Sequence, residues 1–212
     1  MKIVNSEVVP NFSINYDEFT HPEGHVKVDN ALTMLASKAN GLSLLEALNN
    51  NCSSSKGRAV EIKLITGQSK TAAFLTYEQR QKYNISKDDI DLNNSKAIEV
   101  LHKKGKGTSA TISWDPEVAL DMDEHGYPSL VYNAEKSYLV LAHELVHAHR
   151  ILKGTYTGGK GDRQVSSTPA GKEELRAVGL GKYKHEKISE NGIRAEHGEP
   201  IRKHYNPTIQ ES

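Results

Sequence analysis

The stretch of sequence that decides the fold is AEKSYLVLAHELVHAHRIL, residues 134–152. Positions 138–148 are apolar nearly all the way round a helix, apart from three polar residues considered next. Such a pattern predicts a central helix that is buried on most of its surface. Asn133 is a suitable N-cap for this helix, and Gly154 is a suitable residue to end it.

The three polar residues, His143, Glu144 and His147, form the pattern H-E-x-x-H. Histidines four positions apart lie one turn apart on the same helix face, so both imidazoles can bind one metal ion. Zinc is the metal that the pattern predicts, and Glu144 could accept a proton from the water that the metal activates. The alternative is a buried helix whose histidines are satisfied by nearby backbone or acidic groups, although such burial is costly without a strongly bonding partner.

A catalytic zinc ion needs a third protein ligand and one open position. The candidates lie downstream, in KEELRAVGLG (residues 172–181) and in SENGIRAE (residues 189–196), each of which predicts a helix start. Paired acids at a helix start commonly do no more than complement the helix dipole. The residues alone therefore leave Glu173, Glu174 and Glu190 open as the third ligand.

Two motifs of this chain resemble known families. HELVHAHR (143–150) followed by EELRAVG (173–179) is similar to the zinc signature of the clostridial neurotoxin light chains, which implies Glu174 as the third ligand. Over residues 137–205 the chain also resembles the NleD family of type III secreted effector peptidases, through the H-E-x-x-H helix, EELRAVGLG, SENGIRAE and IRKHY. Residues 1–101 carry no such resemblance.

The neurotoxin light chains also place an R-x-x-Y pair over the open side of the zinc, and Arg202 and Tyr205 have that spacing. The resemblance implies that Tyr205, helped by Arg202, stabilises the negative charge that amide hydrolysis builds on the carbonyl oxygen. The alternative is an ordinary packed tyrosine, because two fixed positions in four often match by coincidence. His149 lies about 200° round the helix from His147, so we expect it to pack rather than to bind the metal. We expect Glu173 to orient a ligand histidine.

The remainder of the chain predicts an α+β fold, a compact zincin-like metallopeptidase. We expect residues 1–28 to be irregular and residues 29–212 to form a single zinc metallopeptidase domain. A helix is predicted from Asp29 or Asn30 onwards, with a break or kink near Gly41.

Alternation of apolar and polar residues predicts strands at 58–66, 71–77 and 108–114, which would form a small twisted sheet over the active-site helix. Residues 77–104 are mixed and partly helical, and 115–128 form a polar excursion. The strand at 108–114 is our candidate for the sheet edge on which a peptide substrate would add as a strand.

Charge and cysteine content exclude several classes of function. The 27 basic and 27 acidic residues cancel, which gives no electrostatic case for binding nucleic acid or membranes. The basic run KKGKG at 103–107 is therefore interpreted as a solvated turn. Cys52 is the single cysteine, so no internal disulfide or cysteine-based zinc site can form. Its place in the polar loop predicted at 49–57 makes it a poor candidate nucleophile.

The resemblance implies a virulence protein that is injected into the host cell cytoplasm without a classical signal peptide. There it would cleave a host protein, which for NleD-like peptidases is a stress-activated MAP kinase of the JNK class, cut in its Thr-x-Tyr activation loop. We expect the protein to act as a monomer. Two rival hypotheses stay open: a non-catalytic module that keeps zinc for structure and sequesters a host protein, and a zinc aminopeptidase or toxin domain with another target.

Overall fold

The computed structural model describes residues 1–52, 57–103 and 105–206. The strands are β1 (Lys2–Asn5), β2 (Phe12–Tyr16), β3 (Val60–Leu64), β4 (Lys70–Phe74), β5 (Ser109–Trp114), β6 (Val118–Met122) and β7 (Pro128–Tyr132). The α-helices are α1 (Gly24–Ala36), α2 (Ala39–Cys52), α3 (Tyr77–Tyr83), α4 (Ile90–Leu101), α5 (Ser137–Lys153), α6 (Pro169–Val178) and α7 (Glu190–Glu196). The predicted α+β class is confirmed.

The described residues form a mixed sheet with strand order β1-β2-β3-β5-β4 and a separate antiparallel hairpin, β6-β7. Strands β2, β3 and β5 are parallel, while β1 and β4 pair antiparallel at the two edges. Apolar residues alternate with polar ones along β2, β3 and β5, so one face of the sheet is buried. Register aligns these residues across strands, as in the row Ile14, Ile62 and Ile112.

Helix α5 is the central element, as predicted. It packs against β4 and β5 of the sheet, against α1 and α2, and against β6 of the hairpin. The indole nitrogen of the buried Trp114 donates a hydrogen bond to the backbone oxygen of Ser137, 3.2 Å away, which ties β5 to the first residue of α5. Gly154 ends the helix in the left-handed region, at φ 73°, where glycine has no steric cost. Asn133 caps a 3-10 turn, Ala134–Lys136, that leads into α5.

The prediction of an irregular segment over residues 1–28 is wrong. This segment contains β1, β2 and the start of α1, and β2 gains its place in the sheet by pairing with β3, about 48 residues later in the chain. Long-range pairing of this kind leaves little local signal. Helix α1 begins at Gly24 with Glu23 as its N-cap, so the predicted caps Asp29 and Asn30 both lie inside the helix. The carboxylate of Asp29 accepts a hydrogen bond from the Ser6 hydroxyl. The break between helices falls at residues 37–38 and not at Gly41, which lies within α2.

The strands at 58–66, 71–77 and 108–114 are confirmed as β3, β4 and β5, but the predicted edge is wrong. Strand β5 lies between β3 and β4, so its backbone is paired on both sides, and β4 is the edge next to α5. The predicted polar excursion, 115–128, contains β6 and the turn of the hairpin.

Two other predicted segments lie partly outside the described residues. The polar loop at 49–57 is helical as far as Cys52, and 53–56 fall outside, as does Lys104 of the basic run. No helix that the described residues form is long and apolar enough to cross a membrane.

Candidate active site

His143, His147 and Glu174 come together where α5 packs against α6. The Nε2 atoms of the two histidines are 3.1 Å apart, and Oε2 of Glu174 lies 3.3 Å from Nε2 of His143 and 3.2 Å from Nε2 of His147. The three atoms thus form a nearly equilateral triangle, called the ligand triangle below because its members are the candidate metal ligands. Within the described chain, this trio is the group of His, Cys, Asp or Glu residues arranged to hold a metal ion.

The triangle has the dimensions that a zinc ion requires. A tetrahedral zinc with bonds of about 2.0 to 2.1 Å separates its ligand atoms by about 3.3 to 3.4 Å. Two imidazole nitrogens and a carboxylate oxygen this close repel one another unless a proton or metal cation lies among them. The pKa of His143 also indicates that the site attracts a cation. Burial lowers this pKa, but Glu174 and Glu190 outweigh burial and raise it above its ordinary value. The site therefore favours positive charge.

Glu190, the first residue of α7, contacts the candidate ligand His143 at its Nδ1 atom. Its Oε2 lies 3.0 Å from Nδ1 of His143 and accepts a hydrogen bond of 3.0 Å from Nη1 of Arg202, while its Oε1 accepts one of 2.8 Å from Nε of Arg194. Burial raises the pKa of Glu190, but Arg202, His143 and Arg194 together lower it below its ordinary value. Glu190 is therefore a charged hydrogen-bond partner of His143. The sequence had left Glu190 as one of three candidates for the third metal ligand.

Glu173 does not orient a histidine, so that prediction is wrong. Its carboxylate pairs with the guanidinium of Arg150 in the last turn of α5 and accepts hydrogen bonds of 3.0 and 2.9 Å from the backbone and hydroxyl of Thr157. Helix α6 begins at Pro169, after the N-cap Thr168, so Glu173 lies in its second turn and not at a helix start. The pairing with Arg150 fixes α6 against α5, which places Glu174 beside the two histidines.

Glu144 lies beside the ligand triangle, buried to 7% exposure, and lines the same cleft. The hydroxyl of Thr71 lies 2.7 Å from Oε2 of Glu144 and 2.9 Å from its backbone oxygen. Thr71 is the register partner of Ile112, so it projects from β4 on the face that packs against α5. The sequence of a strand carries no local signal that one of its hydroxyls will contact a residue of a distant helix. Thr71 was therefore not predicted as part of the site.

Tyr205 reaches the site on a C-terminal segment that docks on the turn of the hairpin. The backbone of Lys203 donates a hydrogen bond of 2.9 Å to the Gly126 oxygen, and the His204 ring stacks on Tyr127 with centroids 3.6 Å apart. Gly126 is required here, because a Cβ would lie 2.7 Å from the Lys203 side chain. Burial and then the nearby Glu174 carboxylate raise the pKa of Tyr205 above its ordinary value, which keeps the phenol protonated.

Arg202 lines the cleft, but its guanidinium is occupied by the protein itself. Besides Glu190, it donates to the backbone oxygens of His204 and Tyr205. This geometry suits a residue that positions Tyr205 and Glu190 better than one that contacts a reacting carbonyl.

His149 and Cys52 lie away from the ligands. His149 is half-buried, and burial, with Lys153 and Arg150 nearby, lowers its pKa to about 4. Burial raises the pKa of the Cys52 thiol to about 11, which suppresses the reactive thiolate. Neither residue lines the cleft.

The ligands open into a cleft of about 620 Å³, a volume in the range of substrate sites. One side is polar and comes from β4 and the turn before it; another side is aliphatic and comes from the hairpin and α5. Tyr156 packs edge-on against His147 with ring centroids 6.0 Å apart. No motif in the sequence marks this tyrosine as part of the site. The arrangement can hold a divalent metal ion, a general base and a phenol around one extended substrate.

This chain is similar to known proteins in both sequence and structure. The Peptidase_M91 family model, described as "Effector protein", matches residues 14–205. A search of curated proteins found no match. The structure is similar to the light chain of botulinum neurotoxin serotype HA, with 17% identity and a TM-score of 0.49, covering 87% of this chain and 56% of that one. It is also similar to the catalytic domain of Clostridium botulinum neurotoxin serotype F, with 15% identity, a TM-score of 0.45, and coverage of 81% and 47%. The chain thus spans about half the length of these light chains.

Proposed function

We propose, from the premise that this chain belongs to the Peptidase_M91 family of effector proteins, that it is a zinc endopeptidase which cleaves a protein of the host cell. The family match confirms the resemblance to the NleD-like effector peptidases. The observation that carries the proposed chemistry is the triangle of His143, His147 and Glu174, with Glu144 beside it in an open cleft.

In this proposal His143, His147 and Glu174 hold the metal through two nitrogens and one oxygen, a ligand set typical of catalytic zinc. A zinc ion held by these residues would polarise the scissile carbonyl and would make a water molecule more acidic. Glu144 accepts the proton of the attacking water and donates it to the leaving nitrogen. Thr71 engages Oε2 of Glu144, which leaves Oε1 free to accept that proton.

Tyr205 is proposed to donate its hydroxyl proton in a hydrogen bond to the carbonyl oxygen as negative charge develops there. Its raised pKa supports this role, because a donor must stay protonated at neutral pH. Arg202 is proposed to act indirectly, by holding the backbone of Tyr205 and the carboxylate of Glu190.

The rival hypothesis of a structural zinc site requires a fourth protein ligand. Among the described residues, the ligand cluster has three members and borders a cleft. That openness favours catalysis over sequestration.

The substrate class is proposed from the family resemblance: a stress-activated MAP kinase of the JNK class, cut in its activation loop. Action inside the host cell cytoplasm, as a monomer and without nucleic acid or membrane partners, belongs to the same proposal. The description of the family as effector proteins supports delivery into a host cell.

The decisive experiment incubates the purified zinc-loaded protein with host-cell lysate and maps new protein N-termini by mass spectrometry. We expect a small set of cleavages, including one in a MAP kinase activation loop, and none with Glu144→Ala, which should still bind zinc.

Tyr205→Phe removes one hydroxyl and should lower kcat by about 10- to 1,000-fold with little change in KM. New termini that are equally abundant with Glu144→Ala would contradict the mechanism. Ready digestion of casein would favour a general peptidase instead.

A further inference from the structure

Part of the cleft lining is aliphatic. Val118 and Leu120 of β6, Leu130 of β7 and Val140 of α5 all line it, and we call this set the apolar wall. Register places Leu130 directly opposite Leu120, so the two side chains lie on the same face of the hairpin. Val140 precedes His143 by three residues on α5, which brings the apolar wall next to the ligand triangle.

The apolar wall lies at the border between the protein core and the open cleft. Leu130 is 62% exposed, and Leu120 and Val140 are half-buried, whereas Val118 at 7% anchors the set. Aliphatic side chains grouped around an open cleft leave apolar surface in contact with water, which is unfavourable until a ligand covers it. Polar groups from Gln68 to Thr71 line another part of the same cleft, so the two parts differ in the chemistry that they can bind.

We propose that the apolar wall is the subsite that binds a bulky apolar side chain, aliphatic or aromatic, of a substrate residue flanking the scissile bond. This inference rests on the proposed endopeptidase function and deepens it. The peptide backbone lies between the polar side of the cleft and the apolar wall, with one side chain against the aliphatic residues. Burial of that side chain next to the ligand triangle sets which bond is cut.

The first test uses the substrate itself. The probe is the host protein that the zinc-loaded enzyme is found to cleave in lysate, purified and varied at the two residues that flank the cut bond. We expect one of these residues to be apolar, and its replacement by Ala to lower kcat/KM by about 10- to 100-fold. Replacement by Asp should lower kcat/KM further, because a carboxylate would lose its hydration against an aliphatic surface.

The second test varies the enzyme at Leu130. Because this side chain is largely exposed, its replacement should not unfold the protein, so a loss of activity can be assigned to the cleft. Leu130→Ser should lower kcat/KM on the natural substrate by about 10-fold or more. Leu92→Ser is the matched control, the same change at a leucine of α4 that is 48% exposed and does not line the cleft. It should cleave at the wild-type rate.

Combining the two tests gives a double-mutant cycle that isolates the contact. Leu130→Ser should have little effect on the substrate that already carries Ala at the sensitive position, while melting temperature and zinc content stay at wild-type values. Equal losses on both substrates would overturn the subsite, as would a substrate indifferent to both flanking residues.

The outcomes separate this inference from the proposed function. If the wild-type enzyme cleaves no host protein, the endopeptidase proposal fails and the subsite fails with it. If Glu144-dependent cleavage occurs but neither Leu130→Ser nor the flanking substitutions alter it, the endopeptidase stands and only the subsite is overturned.

Discussion

Thr71 is the residue on which the orientation of Glu144 depends. Its hydroxyl is the hydrogen-bond donor 2.7 Å from Oε2 of Glu144, a buried carboxylate that borders the cleft. A hydrogen bond to a charged group is worth about 1.5 to 3 kcal/mol, and each 1.36 kcal/mol in a barrier is about tenfold in rate.

We predict that Thr71→Val, which keeps the shape of the side chain but removes the hydroxyl, lowers kcat by about 10- to 100-fold with little change in KM. Thr71→Ser restores the donor and should recover most of the activity, with zinc content unchanged in both variants. Steady-state kinetics on the mapped substrate measure this. If the serine and valine variants behaved alike, the hydroxyl would not be the group that matters.

Glu190 contacts the proposed metal ligand His143 and balances charge in the core. It is 1% exposed and lies among His143, Arg194 and Arg202, so removing its charge leaves two buried guanidinium groups without their carboxylate. Loss of one partner of a buried ion pair costs about 3 to 5 kcal/mol, and loss of a ligand's hydrogen-bond partner weakens metal binding by about 10- to 100-fold.

Glu190→Gln should therefore lower both the free energy of unfolding and the zinc affinity. Denaturant unfolding measures the first, and competition with a chromogenic chelator measures the second. The matched control is Glu186→Gln, the same change at a carboxylate that is 45% exposed, 3.9 Å from Arg176. That variant should change neither quantity, and zinc affinity unaffected in Glu190→Gln would show that Glu190 does not support His143.

At the level of elements, β4 combines two roles because it is both the sheet edge and a neighbour of α5. Its partner on one side is β5, and Lys70 and Thr71 border the cleft. An edge strand carries unpaired backbone N–H and C=O groups that can pair with an extended peptide. Strand β1 is the opposite edge of the same sheet and lies four strands away.

We predict that a bound substrate adds to β4. In hydrogen exchange of the inactive Glu144→Ala protein, saturation with the mapped host substrate should slow exchange of backbone amides within residues 68–74. Amides of β1, the control edge, should exchange as before. Protection confined to β7 instead would place the backbone of the substrate on the hairpin.

At the level of the whole molecule, the ligand triangle joins two helices that are distant in sequence, since 27 residues separate His147 from Glu174. A metal ion that binds the folded state alone stabilises it by mass action, by about 2.7 kcal/mol at a free concentration of 100 times Kd. For a chain of this size each kcal/mol raises Tm by about 2 to 4 °C.

Chelation of the purified protein should therefore lower Tm by roughly 5 to 11 °C at such a zinc concentration and abolish cleavage, and added zinc should restore both. Differential scanning calorimetry with and without chelator measures the shift. His143→Ala, which removes one ligand, is the control and should show no response to chelator. A wild-type Tm that is insensitive to chelation would exclude a zinc ion shared between α5 and α6.

Part of the candidate site was predictable because His143, Glu144 and His147 lie close together in the sequence. The spacing of His143 and His147 places both on one face of any helix, and the apolar run around them requires that helix to be buried. Strands β3, β4 and β5 were predictable from alternation, which follows from the two-residue period of an extended chain. The placement of Glu174 with these histidines was expected from family resemblance and not from spacing.

The α+β class and the buried helix that carries H-E-x-x-H follow from the sequence alone, because the periodicity of each element is set by residues within one or two turns of one another. The tertiary structure alone decided that β4 is the edge, that Thr71 faces Glu144 and that Glu190, not Glu173, lies behind His143. It also brought residues 1–28 into the sheet and set the hairpin beside the cleft. These features depend on pairing between segments tens of residues apart, which the free energy of the whole packed chain selects and no local pattern encodes.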